Sequence, residues 1–218
     1  MIFYTVTKQK LNMKQFLLTA MSLCIITLLN AQTKDYIGIA VYNTQNAMPF
    51  GKFTGMFKEQ LHPGVEAIYG RNLSSRKNHD WFLELRLSYF YHRYVQHGVP
   101  LYLNFGYRYK LSQKLFAETS IGAGYMHSIP ATAKLKLNDN GDYVNNKGIG
   151  RAQATVSYSI GLAYTPLPSA NKPFTFFMNY QQRILTPFVR SYVPILPYNT
   201  FMIGVKKPFD RSSKKSKK

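Results

Sequence analysis

Between residues 81 and 92 the chain alternates strictly: Trp81, Leu83, Leu85, Leu87, Tyr89 and Tyr91 take every second place, with Phe82, Glu84, Arg86, Ser88, Phe90 and His92 between them. A period of two is that of a β-strand with one apolar and one mostly polar face. Residues 101–111, 115–125 and 153–164 repeat the pattern, each for about 11 residues. That exceeds the usual strand of about 5 to 6 and matches the 9 to 11 needed by a tilted membrane-crossing strand. Weaker runs at 50–58, 64–72, 174–183 and 199–207 bring the expected strands to eight, and residues 37–42 form a ninth apolar stretch whose status the pattern leaves open. The fold class predicted is all-β, a closed antiparallel transmembrane β-barrel of about eight strands. A secreted lipocalin-like barrel has the same periodicity with the apolar face inward. Glu66, Glu84, Arg86, Arg108 and Glu118 among Gly and Ser on one face, against Leu, Tyr and Phe on the other, favour a narrow polar lumen and a lipid-facing exterior.

The connections orient this barrel. Ser112-Gln113 and residues 166–173 are short, 129–150 and 184–198 are long, and the two kinds alternate along the chain. Outer-membrane barrels keep short turns in the periplasm and longer loops outside. The C-terminus and residues 72–79 are then periplasmic, residues 94–99 lie outside, and the barrel begins with the run at 50–58. Ahead of it, residues 13–31 read as an export signal: Lys14, a 14-residue apolar run at 16–29, and cleavage after Ala31 in Leu29-Asn30-Ala31-Gln32. A crossing helix needs about 20 residues, so the run is not read as an anchor. The expected organisation is an N-terminal extension and signal at 1–31, a periplasmic segment or extra strand at 32–49, the barrel at 50–209 and a basic disordered tail at 210–218.

Composition narrows the function classes. With 45% hydrophobic and 17% charged residues and a mean hydropathy of −0.23, the chain is neither a disordered basic protein nor a bundle of membrane helices. Its 17 Tyr and 15 Phe against a single Trp suit strands. The one Cys, Cys24, lies in the signal, so the mature chain has neither an internal disulfide nor a thiolate for zinc or catalysis. The formal charge is +19, with a Lys-rich tail. Export makes nucleic acid an unexpected partner and anionic lipid or cell-wall polymer the natural one.

Signal, long amphipathic strands, aromatic strand ends and a Cys-free mature chain together resemble the small outer-membrane β-barrel proteins of Gram-negative bacteria, particularly those of the Bacteroidetes type. The resemblance covers residues 50–208 and implies location in the cell outer membrane more than an activity. It departs at the end: many such barrels finish on an aromatic residue, here Phe209, yet residues 210–218 follow.

Candidate chemistry is sparse. Glu84, Arg86, Arg108 and Glu118 form an expected lumen charge network. The 94–99 connection sets Arg108 opposite Glu84 or Arg86, and the turn near 113 sets it opposite Phe116 or Glu118. His127-Ser128 invites comparison with outer-membrane lipid deacylases and phospholipases, but adjacent strand residues face opposite ways and a catalytic pair needs a spacing of two. The five His have no ligand spacing, and Asn138-Asp139-Asn140-Gly141-Asp142 lacks the later Glu of a calcium loop, so a turn is expected and no metal or cofactor. The apolar residues around Pro194 and Pro197 fold over the barrel mouth or meet an apolar partner. Lys134, Lys136 and Arg151 are the expected contacts to lipid phosphates, lipopolysaccharide included. The sequence favours a structural or surface-interaction role without an open pore. A lipid hydrolase using His127 and Ser128, and a narrow transport or gating barrel centred on Arg108, are the alternatives.

Overall fold

A computed structural model gives the fold and describes residues 35–48, 51, 58, 60–93, 95–133, 135–145, 148–170, 173–188 and 194–209. The export signal, the tail from 210, most of the run at 50–58, and Lys134 and Lys147 lie outside the described residues. Eight strands close one antiparallel barrel: β1 (Asp35–Asn46), β2 (Pro63–Ser75), β3 (His79–His92), β4 (Gln96–Lys110), β5 (Leu115–Pro130), β8 (Arg151–Tyr164), β9 (Thr175–Thr186) and β10 (Leu196–Phe209). A small hairpin, β6 (Leu135–Leu137) and β7 (Tyr143–Asn145), sits in the β5–β8 connection. The connections at 47–62, 93–95, 131–150 and 187–195 gather at one end, the loop end. The turns at 76–78, 111–114 and 165–174, with the outer ends of β1 and β10, make the other, the turn end.

The barrel begins at Asp35 and not at residue 50. β1 pairs with β2 through Tyr36↔Gly70 and with β10 through Tyr42↔Met202, so the ninth stretch is a strand of the barrel. Ile37, Ile39 and Val41 face outward as the alternation requires, but Tyr36, Ala40 and Tyr42 are inward and buried, which erases the polar half of the pattern.

Paired residues followed from Tyr36 through Gly70, Glu84, Asn104, Gly122, Ser157, Arg183 and Tyr198 return to β1 at Asn46, ten residues further on. Eight strands with that stagger tilt by about 40° from the barrel axis. From Trp81 to Tyr91 the outward apolar positions of β3 then span roughly 25 Å along the axis, the height of a transmembrane barrel's lipid-facing band. The polarity is inside out. Leu85 is 43% exposed and Leu103 52%, while Glu84 and Gln181 are 0% exposed. Rings mark both margins of the band: Trp81 stacks on Phe105 at 5.1 Å and meets Tyr107 edge-on at 4.9 Å near the turn end, and Tyr89, Tyr91 and Tyr125 lie near the loop end.

The narrow interior is packed by pairing large rings with glycines across strands. Tyr36 lies against Gly70, Tyr42 against Gly64, Phe82 against Gly106, Phe90 against Gly98 and Phe177 against Gly204. At Gly106 a Cβ would come within 2.1 Å of the Phe82 ring, so only glycine lets the ring lie flat on the neighbouring backbone.

Two outcomes test this packing by unfolding in lipid vesicles. Gly106→Ala should lose about 1–3 kcal/mol by overpacking, and Phe82→Leu in the same chain should return part of it. Leu85→Arg should lose about 2–4 kcal/mol, whereas Leu137→Arg on the exposed hairpin should change stability little.

Candidate functional site

Every second side chain of each strand enters the lumen, and there the charged residues meet. Arg86 is the centre: its Nε donates to Glu84 Oε2 at 2.8 Å and its Nη1 to Glu66 Oε1 at 2.9 Å. Tyr36 and Lys206 also bind Glu84 Oε1, each at 2.8 Å. Lys206 continues to Glu118 at 3.2 Å, Arg108 Nε meets Glu118 at 2.6 Å, and Asp80 then joins Arg108 at 3.9 Å and Lys110 at 2.8 Å. On the other side of Arg86, Ser88 and Tyr102 hydroxyls donate to Glu66 Oε2, and Arg183 reaches Tyr102 Oη at 3.1 Å and Gln181 Oε1 at 2.8 Å. Four carboxylates and four cations thus form a continuous ion-paired spine. Burial of single ions is costly, and pairing with full hydrogen bonding is what makes it tolerable here.

Glu84, Arg86, Arg108 and Glu118 therefore come together, but Arg108 faces Asp80 on β3 and not Glu84 or Arg86. The β3–β4 turn is tighter than the apolar run implied, because Gln96, Gly98 and Pro100 already belong to β4 with mixed side chains that hide the strand. On β5 the partner is Glu118, one of the two residues that the turn near 113 left open, and not Phe116. Sequence spacing placed Glu66 on the lumen face without joining it to the network, and missed Asp80, Lys110 and Lys206 as members and Arg183 beside them. Each sits on an inward parity position, which is the signal that finds them.

Above the spine, toward the loop end, Phe90, Met126, Leu185 and Tyr198 are buried in one cluster across the lumen. Beside them His62 and His92 stack with ring centroids 3.7 Å apart and planes 12° from parallel, and both are buried. Residues 30 positions apart gave no sequence sign of this contact. At the turn end a cavity of about 650 Å³ reaches Asp80, Arg108 and Lys110 from the mouth.

The remaining candidates do not assemble. His127 faces outward, its ring nitrogens bonded to Tyr125 Oη at 2.8 Å and Ile149 O at 2.9 Å, while Ser128 is buried on the lumen face against Gln153. They share no side of the sheet. Lys136 is on the exposed hairpin, whereas Arg151 is on the lumen parity of β8, its guanidinium 4.8 Å from the Phe188 ring. Asn138 Oδ1 accepts from the backbone N–H of Asn140 and Asp142, which makes residues 138–142 a turn, with Gly141 at φ +85°. Among the described residues no cluster of three or more His, Cys, Asp or Glu could hold a metal ion.

No protein family and no curated protein matches the sequence. Solved structures do resemble it in shape. The attachment invasion locus protein of Yersinia pestis, in complex with the heparin analogue sucrose octasulfate, is 14% identical at a TM-score of 0.44, with 81% of this chain and 97% of that one covered. Neisserial surface protein A is 6% identical at 0.48, covering 82% and 98%. The N-terminal β-barrel domain of Pseudomonas aeruginosa OprF is 16% identical at 0.40, covering 82% and 100%. The barrel assignment itself rests on the closed ladder and its inside-out polarity.

Removing one member of the spine should expose the value of its pairing. Arg86→Met leaves Glu66 with hydroxyl donors alone, and the expected loss is about 3–5 kcal/mol in urea unfolding. Glu66→Gln in the same chain should recover part of it.

Proposed function

We propose that the protein is an outer-membrane barrel that does not conduct and that acts from its loop end, as a structural or surface-interaction element. The observation that carries this reading is the lumen: an ion-paired spine fills its middle and the Phe90, Met126, Leu185 and Tyr198 layer covers it. An eight-stranded barrel has room for little beyond its own side chains. A lipid-facing band about 25 Å high matches a bacterial outer membrane, and the expected export signal supplies the route there. Long connections on one end and tight turns on the other support placing the loop end outside, where it meets outer-membrane lipids and lipopolysaccharide. Lys136 on the hairpin is then a phosphate contact of the outer leaflet, as is the expected contact Lys134, which lies outside the described residues. The hydrolase reading loses its pair, since His127 and Ser128 occupy opposite faces. The gating reading keeps Arg108, but that residue is held by Glu118 and Asp80 at the turn end.

Two measurements test the proposal. In planar bilayers the reconstituted protein should give no unitary conductance steps, and Arg108→Ala should leave that unchanged. Trypsin added to intact cells should cut at Lys136. Steady conductance, or cleavage only after the outer membrane is breached, would falsify it.

A further inference from the structure

The loop end of the lumen carries, among the described residues, cations without matching carboxylates. Among the described residues every carboxylate of the lumen, Glu66, Asp80, Glu84 and Glu118, belongs to the spine. Arg183 and Arg151 lie beyond them on β9 and β8, and no salt bridge among the described residues joins either to an acid. Arg183 is 2% exposed, spends Nη2 on Tyr102 and Gln181, and its Nε has no hydrogen-bond partner. Arg151 is half-buried and opens onto a cavity of about 190 Å³ at the rim, where Gln96, Ser128 and Pro130 form the walls and Phe188 stacks on the guanidinium.

This cavity is built. Gln153 Nε2 donates to Pro187 O at 2.8 Å and Phe188 N–H to Pro194 O at 3.0 Å, which fix the segment that carries the Phe188 ring. Gln96 is held by its bond to Tyr198 Oη at 3.0 Å, and Ser128 by Gln153. A guanidinium braced on an aromatic ring keeps its edge for a ligand, and that edge matches the two oxygens of a carboxylate or phosphate. The volume equals about six waters at about 30 Å³ each. It admits one small oxyanion group and falls below the roughly 300 Å³ of a drug-sized site.

We infer that this rim pocket binds a single anionic group, a phosphate or carboxylate, with Arg151 as the recognising residue, Ser128 and Gln96 as polar walls and the Arg183 charge behind them as added field. The inference rests on the surface-interaction reading only for the side of the membrane the pocket faces. It also moves Arg151 from the outer-leaflet belt, where the sequence had it beside Lys136, to the mouth of the barrel.

The test uses the full exported chain in phosphatidylcholine nanodiscs, with inorganic phosphate as the probe and the amide shifts of Gln96 and Ser128 as the readout. Phosphate should move both amides saturably in the millimolar range. Arg151→Gln should weaken that binding at least tenfold, Arg151→Lys by less, and Lys114→Gln, in an exposed turn at the opposite end of the barrel, not at all. Phe188→Ala, in a loop, gives a second variant that keeps the strands intact and should also weaken binding. No saturable shift in the native chain, or equal shifts in Arg151→Gln and the native chain, overturns the inference. Nanodiscs containing phosphatidylglycerol identify the source: the same shift without added phosphate means a lipid headgroup, and a shift with dissolved phosphate alone means a soluble or glycan-borne group. Cell-surface proteolysis reads the membrane side separately, so a silent titration removes the pocket and leaves the barrel's proposed orientation standing.

Discussion

A strand in hydrocarbon has no water to satisfy its backbone, so every N–H and C=O must find a partner within the sheet. Here the requirement is met by the ladder between β1 and β10, which leaves the sheet without an edge. The other features follow from that closure. Eight strands staggered by ten residues define a tube that is just wide enough for side chains to fill and too narrow for rings on all sides at once. Hence the large rings lie on glycines of the adjoining strand, and the charged residues must answer one another across the axis.

The answering is close to complete. Four carboxylates and four cations touch in sequence from Glu66 to Lys110, with Tyr36, Ser88 and Tyr102 filling acceptor sites that the cations leave. A network of this kind gains less from attraction than it forestalls in desolvation, since each member alone would be an ion stranded in low dielectric. It makes the interior intolerant of single changes and fixes which strand faces which. Among the described residues, Arg151 and Arg183 toward the loop end stand outside this ion pairing, and the proposed anion site is built on them.

Much of this was legible from the chain. The long alternation between Trp81 and Tyr164 gave the class of fold, the outward face and the sorting of connections into two ends, because lipid exposure imposes one chemistry on every second residue. The same logic failed at β1, where Tyr36, Ala40 and Tyr42 make the inner face apolar as well. It failed by a few residues at the start of β4, where Gln96, Gly98 and Pro100 show no alternation, and that slip displaced Arg108 from Asp80 to Glu84 or Arg86. Parity told which residues enter the lumen, but only the stagger decides which of them share a level. Lys206 from β10 meeting Glu84 and Glu118, and His62 meeting His92, depend on that third coordinate and have no local signature.

The seam between β1 and β10 also sets an order of events. Its pairs run from Asn46 with Tyr198 to Asp35 with Phe209, the longest sequence separations in the sheet, whereas the other ladders join strands that follow one another or are split by a hairpin. Contacts so distant along the chain form late and slowly. A nascent or truncated chain lacking β10 holds two bare edges, β1 and β9, and Glu84 and Glu118 without their shared lysine. Until the last segment has come back to the first, those two edges carry backbone groups that hydrocarbon cannot satisfy.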